Sequence, residues 1–91
     1  MPYRVDVTPA AARDLWKLDP TIRKQVMSDI SELANEARPR GVEKLVTHEK
    51  LYRIYVGPGK NYRAVYQIRD EVLLVLIVKV RNWKDIYRRL K

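Results

Sequence analysis

The chain contains no cysteine among its 91 residues. Disulfides, thiolate metal sites and a cysteine nucleophile are therefore excluded. Histidine is nearly absent too. His48 stands alone in a polar stretch, without the company a zinc site needs, and reads as an ordinary loop histidine. No apolar run approaches the roughly 20 residues that cross a bilayer. Arg4, Asp6 and Arg13 interrupt the N-terminal region, which lacks signal-peptide form. No membrane association and a cytoplasmic location are the resulting expectations. The three glycines are scattered, and Gly57-Pro58-Gly59 makes a turn with no phosphate-loop signature. Carboxylates are sparse in the second half. Asp70 and Glu71 fall in a tight turn and Asp85 near neighbouring cations, which offers nothing to a two-metal nuclease. Neither a metal nor a cofactor is expected.

Positive charge is what the chain has in excess. The net charge is +8. Residues 1–50 carry nine Lys/Arg against eight Asp/Glu, whereas residues 51–91 carry ten against three. Such one-sided placement is the electrostatic footprint of a nucleic-acid or ribosome binder.

Thirty residues, Leu51 to Val80, organise the rest. Leu51–Val56 and Tyr62–Ile68 alternate in strand fashion, and Val72–Val80 is apolar except for Lys79. The spacing predicts three consecutive antiparallel strands joined by short polar breaks, the last one central and buried on both faces. One sheet face is expected to be apolar and the other to carry cations and aromatics. Upstream, Tyr3–Val7 reads as a short strand. Thr8-Pro9 and Asp19-Pro20 each pair a capping residue with a proline suited to the first helical turn. The first helix would bury Ala11, Ala12, Leu15 and Trp16. The second would bury Ile22, Val26, Ile30, Leu33 and Ala37, leaving Arg23, Lys24, Asp29, Glu32 and Glu36 solvated. A brief strand or turn is expected near Leu45-Val46, and a last helix from Asn82 or Trp83. The fold class is thus α+β, one domain over residues 1–91. Its order is β-α-α-β-β-β-α, a helical hairpin laid on one face of an antiparallel sheet.

The residues with chemical reach form a set of cations and aromatic rings: Arg53, Tyr55, Arg63, Lys79, Arg81, Trp83, Lys84, Tyr87 and Arg88. The first five share odd parity along their strands, although parity alone does not put neighbouring strands in register. Guanidinium groups bind phosphate through paired N–H bonds, and aromatic rings stack on unpaired bases. The same groups suit the charge of a phosphoryl-transfer transition state. For any one of them, a solvated strand cation is the simpler reading, and for Trp83 packing of the last helix is equally natural. Together they point to RNA.

The segments LYRIYVG, YRAVYQI, DEVLLVLIVKV and KDIYRRLK, in this order, resemble the RelE/ParE superfamily of bacterial and archaeal toxins. The resemblance runs over nearly the whole chain. It implies a small microbial-RNase-like domain, a cognate antitoxin as partner in a hetero-oligomer, and ribosome-dependent, metal-independent cleavage of mRNA. In that chemistry the 2′-hydroxyl attacks its own phosphate. The resemblance assigns Arg63 and Tyr87 to catalysis, with Arg53 and Arg81 as further catalytic positions. Tyr55, Lys79, Trp83, Lys84 and Arg88 become RNA contacts. The pattern breaks at Arg81-Asn82-Trp83, where Trp83 stands near an arginine expected of the family. Arg81 or Lys84 is then left to supply that charge, with Trp83 free to stack on a base. Tyr55 stands where relatives often carry a second basic residue.

Two other readings compete. One is a ParE-like poison of DNA gyrase that cuts no RNA, which the Trp83 departure favours. The other is a non-toxic RNA-binding module, for which a basic sheet suffices. Retention of Arg63 with Tyr87 favours the endonuclease.

Overall fold

The computed structural model describes residues 2–45 and 50–82. Five strands and two helices follow one another: β1 (Arg4–Val7), α1 (Pro9–Trp16), α2 (Pro20–Ser31), β2 (Glu43–Lys44), β3 (Leu51–Val56), β4 (Tyr62–Arg69) and β5 (Leu74–Asn82). The strands make one sheet in the order β1-β5-β4-β3-β2. All pairings are antiparallel except that of β1, which lies parallel to β5. No helix among the described residues is long and apolar enough to cross a membrane.

Both helices start as the sequence predicts. Thr8 Oγ1 accepts the Ala11 N–H at 3.1 Å and Asp19 Oδ1 accepts the Thr21 N–H at 2.9 Å, each with proline at the first helical turn. The turn between the helices is held by Arg23. Its guanidinium donates to the carbonyls of Leu15, Trp16 and Leu18 around the end of α1, the Leu15 carbonyl also accepting the Leu18 N–H at 3.1 Å. Arg23, expected in solvent, is drawn in by these helix-end carbonyls. Trp16 is likewise displaced from its expected place in the core. It is 74 % exposed, with the Arg23 guanidinium 4.5 Å above its ring.

α2 ends at Ser31, earlier than the pattern to Ala37 suggests, and one tighter turn continues through Ala34. Leu33 and Ala37 nevertheless stay buried. The core lies between this helical layer and one sheet face. Ala11, Leu15, Val26, Ile30 and Leu33 meet Val56, Ala64, Tyr66, Ile68, Val75, Ile77 and Val80. Tyr66 is fully buried, and its hydroxyl donates to the Ala37 carbonyl at 2.9 Å. Burial raises the pKa of that phenol well above its ordinary value.

β5 departs from expectation at both ends and in the middle. Val72 lies in a tight turn and is 63 % exposed, and Leu73 adopts a left-handed conformation (φ 51°) before the strand begins at Leu74. The strand then runs on to Asn82. It is not buried on both faces. Val75, Ile77 and Val80 are buried, whereas Leu74, Leu76 and Val78 are only half-buried on the far side. The inward set changes from odd to even numbers because of a bulge: Val65 pairs with Lys79 and Tyr66 with Ile77, leaving Val78 as an extra residue. Thr8 seats β1 beside this irregularity, its N–H bonding the Ile77 carbonyl at 2.9 Å. The short strand before β3 is Glu43–Lys44, slightly upstream of Leu45-Val46.

Candidate functional site

Among the described residues, no element covers the β3-β4-β5 centre of the sheet face opposite the helices. Its layout follows from register. Tyr55 pairs with Arg63, and Arg63 with Arg81, so the three stand in one row across the sheet. In the next row Arg53 pairs with Val65, and Val65 with Lys79. Arg53, Tyr55, Arg63, Lys79 and Arg81 therefore share one end of one face. The bulge at Val78 is what brings the last two there. Past it, the face becomes apolar, with Leu51, Leu74, Leu76 and Val78 half-buried. Among the described residues, only Tyr55 supplies an aromatic ring to the cationic end. Tyr52, Tyr62 and Tyr66 have the opposite parity and pack on or against the core. Trp83, Lys84, Tyr87 and Arg88, the expected last helix, and His48 lie outside the described residues.

The four cations differ in what holds them. Arg53 is bound by Glu43 of β2, Nη2 to Oε2 at 2.5 Å, and the partner carboxylate raises the guanidinium pKa further. Arg81 reaches around the edge of β5 to the carboxylate of Asp14 on α1. Arg63 and Lys79 have no ion pair among the described residues. They stand two positions apart in register, a half-buried guanidinium beside an exposed ammonium. Like charges placed directly across strands, as Arg63 and Arg81 are, disfavour the free fold. A polyanion bridging them relieves that cost. A cleft of about 270 Å³ opens beside this row, lined by Lys17, Tyr62, Arg81 and Asn82 among others.

Asp14 and Glu43 are the site residues that pattern reading missed. Asp14 is 6 % exposed and is the one buried charged residue among those described. A signal was present: Ala11, Asp14 and Leu15 follow the i, i+3, i+4 spacing of a buried stripe, and an acid within such a stripe needs a cationic partner.

A second charged group lies at the far end of the sheet. Asp70, in the β4–β5 turn, accepts both terminal nitrogens of Arg38 (2.8 and 3.2 Å) and the Tyr3 hydroxyl. The bonds from Arg38, then from Tyr3, hold its pKa down at about 2. Arg38 also lies 5.3 Å from the Tyr52 ring centre. This cluster ties the turn to β1 and to the segment after α2, away from the cationic rows.

A two-helix layer on a five-stranded sheet is the fold this chain shares with solved RelE toxins. The chain belongs to the family described as the ParE toxin of the type II toxin–antitoxin system, whose model matches residues 5–87. It is 39 % identical over 90 residues to toxin RelG of Mycobacterium tuberculosis, covering 98 % of this chain and 100 % of RelG. It is 29 % identical to the mRNA interferase toxin RelE of Escherichia coli, over 96 % of this chain and 92 % of that one. Among solved structures, an E. coli RelE mutant bound to a peptide of the antitoxin RelB matches with a TM-score of 0.77 and 27 % identity. That match covers all of this chain and 96 % of the other.

Proposed function

We propose that this toxin is a ribosome-dependent mRNA endonuclease that works without a metal ion and is neutralised by a cognate antitoxin. The observation that carries the reading is the register-aligned row Tyr55–Arg63–Arg81 backed by Arg53 and Lys79. Those groups suit a phosphate whose charge grows as the reaction proceeds. In the reaction the RNA 2′-hydroxyl attacks the adjacent phosphorus, the bond to the 5′-oxygen breaks, and a 2′,3′-cyclic phosphate and a 5′-hydroxyl result. Arg63, held near the start of β4, meets the developing charge on the non-bridging oxygens. Tyr87 exchanges a proton with the reacting or the leaving oxygen. Arg53 and Arg81 hold the flanking backbone, while Tyr55 and Trp83 stack on bases. RelE is named an mRNA interferase and has been captured with its antitoxin, which supports both parts of the proposal.

Programmed ribosomes provide the test. Arg63→Ala and Tyr87→Phe, each with unchanged melting, are expected to lose on the order of a hundredfold or more in cleavage, the scale for removing a transition-state contact or proton donor. Tyr87→Phe cutting at the parental rate would remove its catalytic role. Trp83, in place of an arginine, favours one competing reading, a gyrase poison. Intact message on ribosomes, together with inhibited DNA supercoiling by gyrase, would establish that reading instead.

A further inference from the structure

We infer that Asp14 is the positioning residue of Arg81: a buried carboxylate on α1 that fixes the guanidinium at the end of the cationic row. The inference rests on the proposed RNA-cleaving role of that row, and it deepens it.

β1 accompanies β5 only as far as Ile77, so among the described residues no strand pairs with that edge of β5 beyond it. Asp14 fills the place of the missing strand. One carboxylate oxygen accepts the Val80 N–H at 3.0 Å and the other accepts Arg81 Nη1. A buried carboxylate is costly unless both oxygens are engaged, and here both are. The Arg81 side chain remains 39 % exposed, so its other donors stay available to a ligand. A free arginine loses considerable rotamer entropy when it grips a phosphate. One already bonded to a buried acid has paid that cost in the folded state. The acid also offsets the repulsion between Arg81 and Arg63, which pair directly across the strands. Asp19 lines the same cleft, but among the described residues it forms no ion pair with Arg81.

The substitution Asp14→Asn separates the two tasks. An amide oxygen still accepts the Val80 N–H, while the charge that aims Arg81 is lost. Five proteins form the experiment: the parent, Asp14→Asn, Asp14→Glu, Arg81→Ala and the Asp14→Asn/Arg81→Ala double variant, all compared per folded molecule on programmed ribosomes. Asp14→Asn is expected to lower cleavage by about tenfold to a hundredfold, the range for a misplaced catalytic group. Added to Arg81→Ala, it should lower cleavage no further. Asp14→Glu, which keeps the charge, should recover most of the parental rate. Equal losses from Asp14→Asn in both backgrounds, or a Glu variant no better than Asn, would overturn the inference while leaving the endonuclease reading in place. If the parent itself cuts no message, that reading fails, and NMR of the Arg81 Nε–H group decides about Asp14. An ordered signal in the parent that becomes averaged in Asp14→Asn supports positioning; equal order in both rejects it.

Discussion

At the scale of single residues, identity was easier to read than company. The alternation in YRAVY assigns Arg63 and Val65 to one side of β4 and Ala64 and Tyr66 to the other, as they stand in the fold. Nothing in that alternation says that Glu43 holds Arg53 or that Asp14 holds Arg81, since each pair joins elements whose relative placement depends on tertiary packing. Asp29 is a similar case. Expected in solvent, it accepts the Gly57 N–H at 2.8 Å, closing the end of β3 against α2. Gly57 itself has a φ of 83°, a conformation open mainly to glycine. A Cβ added there would lie 2.9 Å from a Val26 methyl and 3.1 Å from the Tyr62 ring. Gly57→Ala therefore combines backbone strain with overpacking, and a loss of about 2–4 kcal/mol is expected from the two together. Urea unfolding should show a lower midpoint at unchanged slope. An alanine variant as stable as the parent would mean that this turn can reshape at little cost.

At the scale of elements, capping and periodicity marked both helix starts and the strands β3 and β4. What they could not mark was the bulge in β5. Val78 is as apolar as Ile77 before it, so nothing in the run Leu74–Val78 marks it as the extra residue that changes the face between Ile77 and Val80. A fully buried strand and a bulged, half-buried one have the same composition. The β4–β5 turn was legible as a turn, but its anchoring through Asp70 was not, because Tyr3, Arg38 and Asp70 are far apart in the chain. That anchor has a pH signature. The Asp70 carboxyl titrates at about 2 in the fold against an ordinary 3.8. Its folded pKa is depressed, so the charged form contributes stability in full above about 3.8, and this contribution is lost as pH falls toward about 2. The group is solvent-exposed, and screening keeps the effect small. Thermal melts of the parent and Asp70→Asn should accordingly differ at pH 5 and converge toward pH 2. A constant gap across that range would show that the ion pair contributes nothing that titrates.

At the scale of the whole molecule, the charge asymmetry read from the chain becomes a spatial one. The basic half contributes β3, β4 and β5, adjacent in the sheet, and their register gathers Arg53, Arg63, Lys79 and Arg81 at one end of one face. Acids near that end, Glu43 and Asp14, are already committed to Arg53 and Arg81. Among the described residues at that end, the charge without an ion pair thus resides on Arg63 and Lys79, where an approaching polyanion would displace bound counterions. Ribosome affinity should fall linearly on a log–log plot against salt, with a slope that counts the phosphates neutralised. Lys79→Ala is expected to lower that slope by about one and to weaken binding uniformly across messages, as a pure phosphate contact does. Its effect on melting should be small, because the side chain is exposed. Arg63→Ala should lower the slope similarly but reduce cleavage far more than binding, since its proposed contact strengthens only in the transition state. Equal losses of binding and cleavage for Arg63→Ala would make it a binding residue alone. A salt-independent affinity would move the partner from RNA to a protein surface, with gyrase the first to test.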